Sequence, residues 1–66
     1  MYIMLNGTRV ELPDGLDVLG LVQAAALSPD TVVVEVNGDI IEKARYDQTM
    51  LKNGDQVEIV SFVGGG

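Results

Sequence analysis

Apolar and polar positions along this chain recur with two different periods, and the changes of period mark its elements. Residues 2–5 and 8–12 are short alternating runs on either side of Asn6-Gly7. Asn-Gly favours a two-residue hairpin turn because both residues tolerate positive φ, so the two runs are predicted to pair as a hairpin. Pro13-Asp14-Gly15 then turns the chain. From Val18 the spacing becomes helical: Val18, Leu21, Val22 and Ala25 form one apolar stripe, which Leu19 and Ala26 widen. Asp17 is the expected N-cap. Gly20 weakens the helix and leaves no capping box, and Ser28-Pro29-Asp30 closes the segment. The β-branched run at residues 31–36 predicts a third strand, and Asn37-Gly38 leads into a short fourth one at residues 39–41. Residues 42–50 are weakly patterned and predict a helical turn with loop. Residues 51–55, which hold a third Asn-Gly pair, predict a turn before a last strand at residues 56–62. The three Asn-Gly pairs have unlike surroundings and read as turns, not as an internal repeat.

The resulting order is hairpin, helix, then further strands. It predicts an α+β domain with a mixed sheet of about five strands and one main helix on one face. This order fits the β-grasp architecture of ubiquitin-like proteins. The first and last strands would then lie side by side and parallel at the centre, with the chain between them as the long crossover that a parallel pair needs. Strand alternation sends Ile3, Leu5, Val10, Leu12, Val34, Val36, Val57 and Ile59 toward the helix. Each such side chain, once buried, stabilises by about 1.5–3 kcal/mol. The opposite face carries Tyr2, Met4, Arg9, Glu11, Val33, Glu35, Glu58, Val60 and Phe62. One helix covers one face only, which leaves Tyr2, Met4, Val60 and Phe62 surplus to the core. They are expected to form one apolar patch, a feature that often marks a partner site, although scattered surface apolar residues are also ordinary.

Composition narrows the function. A chain of 66 residues makes one domain and buries only about 60% of its unfolded surface. With no cysteine and no histidine it has no disulfide, no Ser-His or Cys-His nucleophile pair and no expected metal site. No pair of acidic residues stands out as an acid/base couple. Four basic residues against ten acidic ones give a net charge of −6. Nucleic acid is therefore not an expected partner, since phosphate binding needs clustered Lys and Arg, whereas a partner with a basic face fits. Residues 1–5 are too short for a signal-peptide core and have no basic residues before them, and no stretch has the length of a membrane span. A cytoplasmic protein with no membrane partner is expected.

The last strand runs straight into Val63-Gly64-Gly65-Gly66. Residues 1–62 are expected to be the folded domain and residues 63–66 a flexible tail. Glycine has no Cβ and allows close approach to the main chain. Four extended residues span at most about 14 Å, enough to carry the Gly66 carboxylate into a narrow channel of a partner. A carboxylate is a poor electrophile, but as an acyl-adenylate it is open to a thiolate. Against this stand two plain readings, an idle flexible end and a cloning remnant. If the chain handles sulfur, no side-chain thiol can hold it, and its three methionine thioethers cannot carry a persulfide. The terminal carboxyl group remains.

The stretches Val36-Asn37-Gly38-Asp39-Ile40-Ile41 and Leu51-Lys52-Asn53-Gly54-Asp55-Gln56-Val57-Glu58-Ile59-Val60, followed by Phe62-Val63-Gly64-Gly65-Gly66, resemble the ThiS family of sulfur carriers for thiamine biosynthesis. The Asn6-Gly7 hairpin and residues 16–27 are also similar, so the likeness covers the whole chain. The resemblance implies that a ThiF-like adenylyltransferase uses ATP and magnesium to adenylate Gly66. Sulfur from cysteine, supplied by a donor such as a cysteine desulfurase, then displaces AMP to leave a thiocarboxylate. Thiazole synthase takes that sulfur. It further implies that Val63, Gly64, Gly65 and Gly66 enter partner active sites, that the carrier is no enzyme, and that it binds no cofactor itself. A sulfur carrier for molybdopterin synthase, a ubiquitin-like protein modifier and a β-grasp binding module without chemistry at its end are the competing readings.

Overall fold

The computed structural model of this chain describes residues 1–62; residues 63–66, the expected tail, lie outside them. Five strands and one helix follow in the expected order: β1 (Tyr2–Leu5), β2 (Thr8–Glu11), α1 (Val18–Ala24), β3 (Val32–Val36), β4 (Asp39–Ile41) and β5 (Gln56–Ser61). The sheet order is β2-β1-β5-β3-β4. The β1/β5 pair is parallel, and β1/β2, β3/β4 and β3/β5 are antiparallel. This is the β-grasp fold, with β5 in the middle of the sheet. No helix among the described residues is long and apolar enough to cross a membrane.

The two hairpins follow from local chemistry. Asn6 and Gly7 take φ 49° and 81°, and Asn37 and Gly38 take 51° and 88°, so each pair makes the left-handed two-residue turn that matches strand twist. The third pair departs from this pattern. Only Gly54 is at positive φ, and no hairpin forms there, because β5 goes on to pair with β1 and β3 and not with the chain before it.

The helix begins as expected. Asp17 is extended, and its carboxylate accepts a 2.7 Å hydrogen bond from the Gly20 amide. A Cβ on Gly20 would lie 2.5 Å from Leu16 Cδ1. The glycine that weakens the helix thus makes room for Leu16 to fold back over its first turn. The far end is shorter than expected. The stripe was predicted to run on through Ala25 and Ala26, but both are exposed. Ala25 is the C-cap, and Ala26 turns left-handed at φ 59°. The Leu27 amide donates to Val22 O at 3.0 Å and the Ala26 amide to Gln23 O at 2.9 Å. These two bonds are a Schellman motif with alanine where glycine is usual.

Ile3, Val18, Leu21, Val22, Val32, Val34, Val57 and Ile59 are buried between sheet and helix. Leu5, Val10, Leu12, Leu19 and Val36 are half-buried and pack on them. The inward face is therefore the one that alternation predicts. Tyr46 and Leu51 also join the core, from the stretch whose pattern was weak. The Tyr46 hydroxyl donates to Val32 O at 3.5 Å, and the Leu51 amide donates to Leu16 O at 3.0 Å. Loop residues thus close the end of the core that a helix of seven residues leaves open.

The Schellman position makes a direct prediction. Ala26→Gly removes the Cβ penalty of the left-handed conformation, and chemical denaturation is expected to show a gain of about 1 kcal/mol. A loss of stability would show that Ala26 is not strained.

Candidate functional site

The candidate site is the C-terminal end of β5 and the sheet face beside it, so the question is what holds that strand in place. On one side β5 pairs with the whole of β3, from Val36↔Val57 to Val32↔Ser61. The Phe62 amide extends this ladder by donating to Thr31 O at 2.7 Å. On the other side, β1 reaches only Gln56 and Val57 through Met4 and Leu5. The Met4 amide donates to Asp55 O and the Asn6 amide to Val57 O, both at 2.9 Å. There the strand of β1 ends.

A side chain continues it. Asn6 Oδ1 accepts from the Ile59 amide at 2.9 Å, and Asn6 Nδ2 donates to Ile59 O at 3.1 Å. One amide group thereby does for Ile59 what another residue of β1 would have done. Asn37 does the same at the start of the strand. Its Oδ1 accepts from the Gln56 amide at 2.9 Å, and its backbone amide donates to Gln56 O at 2.7 Å. Asn37 Nδ2 donates to Oδ1 of buried Asp55 at 3.0 Å, whose Oδ2 accepts from the Lys52 amide at 2.7 Å. Asn53 Oδ1 accepts from the Tyr2 amide at 2.9 Å. All three asparagines singled out as turn formers thus also bind the central strand pair or its ends. Sequence reasoning missed this second role, because a turn asparagine looks the same whether or not its amide is engaged.

The expected apolar patch is divided. Tyr2, Met4, Val60 and Phe62 do lie on the face away from the helix, as alternation requires. The parallel register, however, sets Met4 beside Gln56. Val60 is four residues further along, about 13 Å at the usual rise per strand residue, and Phe62 is further still. Tyr2 and Met4 are half-buried at one end, and the Arg9 guanidinium sits 4.2 Å from the Tyr2 ring centroid. Val60 and Phe62, each 58% exposed, stand at the other end, where Val60 pairs with Val33. The four residues therefore do not form one contiguous patch, because the parallel pairing staggers the two strands. The open apolar end is the one next to the tail.

Among the described residues there is no cavity fit for a small ligand and no cluster of three or more acidic side chains that could hold a metal ion. The tail residues Val63, Gly64, Gly65 and Gly66 lie outside the described residues. What the structure positions is their point of departure at Phe62.

The ThiS family model matches residues 3–66. The chain is 40% identical over 65 residues to the sulfur carrier protein ThiS of Bacillus subtilis, covering 97% of this chain and 98% of that one. It is 35% identical over its whole length to a thiazole synthase of Magnetococcus marinus, of which it spans 20%. A crystal structure of the thiamine biosynthesis protein ThiS from Geobacter metallireducens superposes with a TM-score of 0.84 at 35% identity, covering all of both chains.

Two substitutions separate the clamp from the open surface. Asn6→Gly keeps a residue that accepts the left-handed turn and removes both bonds to Ile59. It is expected to cost about 1–3 kcal/mol in denaturant unfolding. Phe62→Ala is expected to cost less than about 1 kcal/mol, as for other surface changes. A loss of several kcal/mol for Phe62→Ala would place that ring in the core.

Proposed function

This chain belongs to the ThiS family, and on that premise we propose that it is a sulfur carrier for thiamine biosynthesis that bears sulfur on the carboxyl group of Gly66. The observation that carries this reading is the 40% identity along nearly the full length of a sulfur carrier protein ThiS. The reading also agrees with the chemistry of the chain. Without cysteine, it offers no side-chain thiol for sulfur.

The steps balance as acyl transfer. The Gly66 carboxylate attacks the α-phosphorus of ATP, magnesium being held by the partner, and pyrophosphate leaves. Sulfur at the sulfide level, released from the persulfide of a donor such as a cysteine desulfurase by a thiol reductant that is itself oxidised to a disulfide, then attacks the acyl carbon. The C–S bond forms, the C–O bond to AMP breaks, and a thiocarboxylate remains. A ThiF-like adenylyltransferase would perform these steps, and thiazole synthase would accept the sulfur. In the Magnetococcus marinus relative, a segment similar to this whole chain belongs to a polypeptide named thiazole synthase, which supports that pairing. The carrier itself supplies no catalytic group and no bound cofactor. Its part is to hold residues 63–66 at the end of a central strand, with Val60 and Phe62 as the docking contacts nearest to them.

Incubation of the 66-residue chain with the adenylyltransferase, ATP, magnesium and a sulfur source is expected to raise the intact mass by the difference between sulfur and oxygen. No shift with an enzyme of demonstrated competence would overturn the reading, and high-mass covalent adducts would favour a protein modifier. Gly65→Val adds a Cβ where the partner channel is to admit only backbone, and loss of the mass shift is expected. Phe62→Ala is expected to weaken binding to the adenylyltransferase about tenfold, as for an exposed aromatic anchor. Unchanged affinity would remove Phe62 from the docking face.

A further inference from the structure

The outer face of β3, β4 and β5 holds a feature that folding alone does not favour. Glu35 on β3 and Glu58 on β5 are direct cross-strand partners. Both point away from the helix, since Val34, Val57 and Ile59 on either side of them are buried. Like charges in directly opposed positions destabilise a sheet. Neither carboxylate is relieved by a cation: among the described residues the ion pairs join Arg9 to Glu11, Lys43 to Asp30 and the N-terminus to Asp14.

Apolar side chains surround this pair. Ile40 is the cross-strand partner of Glu35 and is 70% exposed. Val60 pairs with Val33 one inter-residue step of the same face further along, and Phe62 follows it. Two of the four large hydrophobic residues most exposed among the described residues, Ile40 and Val60, thus flank two carboxylates without an ion pair on one sheet face, with Phe62 further along it. The same face at β1 and β2 is different, because Arg9 covers Tyr2 and pairs with Glu11 there.

We propose that this face is a docking surface for a basic protein partner, with one arginine or lysine side chain seated between Glu35 and Glu58 and with Val33, Ile40 and Val60 as its apolar surround. Charge selects the occupant. A second copy of the chain would bring carboxylates against carboxylates, with a net charge of −6 on each molecule. Nucleic acid and anionic membrane surfaces are repelled for the same reason, and the flat face has no cavity to enclose a small cation. A protein surface with a cation set in an apolar patch gains from both parts, and its charge also speeds encounter. The proposal rests on the carrier reading above, and it names the adenylyltransferase as the partner in question. Docking here leaves Phe62, the last described residue, at the edge of the contact.

The test uses Glu35→Gln, Glu58→Gln and, as a control of equal charge change on the same face, Glu11→Gln. Affinity of each 66-residue chain for the adenylyltransferase is measured by calorimetry at low and high salt, together with the Tm of the free chain. Glu35→Gln and Glu58→Gln are each expected to weaken binding about tenfold at low salt, a loss in the range for truncated interfacial charge pairs, and to flatten its salt dependence. Their Tm should stay level or rise as the repulsion is relieved, while Glu11→Gln binds like the unaltered chain. If both variants bind no worse than Glu11→Gln while the unaltered chain is still bound and charged with sulfur, the seat is overturned and the carrier reading stands. If weaker binding comes with a fallen Tm, the loss belongs to folding and the seat is again overturned. An unaltered chain that is neither bound nor charged overturns the carrier reading and this proposal with it.

Discussion

The parallel contact between β1 and β5 is the constraint on which the rest of the structure depends. It joins the two ends of the described chain, and it is short, with only Met4 and Leu5 in register with Gln56 and Val57. Every other feature follows from closing it. The helix and the β3–β4 hairpin are what lies within the crossover, and the core is the space between that crossover and the sheet. The contact is reinforced less by more strand than by amide side chains. Asn6 lengthens it on one side, Asn53 anchors the Tyr2 amide beside it, and Asn37 secures the start of β5 from the other neighbour. No buried side-chain nitrogen or oxygen among the described residues lacks a partner. This is the condition under which polar groups rigidify a fold and do not weaken it.

The same arrangement divides the labour between the two faces of the sheet. The inner face is filled by β-branched and leucine side chains packed against the helix. The outer face is uncovered by any element among the described residues. Its β1–β2 half is closed off by a cation over an aromatic ring and an exposed ion pair, while its β3–β5 half exposes Ile40, Val60 and Phe62 beside half-buried Glu35 and exposed Glu58. The second half is also the one from which the chain departs toward residues 63–66.

Much of this was legible from the residues alone. Asn-Gly turns fixed both hairpins because their left-handed requirement is local, and period-two alternation identified the inner face because burial on one side leaves little freedom of register. What escaped was non-local. Tyr46 and Leu51 lie in a loop without periodicity, so nothing in their spacing announces that they plug the core. Ala26 has no special preference for the left-handed region, and only the pull of Leu27 onto Val22 O places it there. The stagger that divides Tyr2 and Met4 from Val60 and Phe62 is a property of strand pairing across fifty residues of chain, which no window of sequence contains.

The Asn6–Ile59 clamp spans 53 positions, and this separation has a consequence for biosynthesis. Contacts so distant in sequence form late, because the loop they close must be ordered first. A ribosome releases β5 after everything it must insert between, so a nascent chain cannot seal its interior until the stretch leading to the glycines has emerged. Polypeptides interrupted earlier keep Ile3, Val34 and their neighbours open to chaperones and proteases. Topology thus acts as proofreading: a molecule that survives in folded form has, by construction, synthesised its central strand, β5.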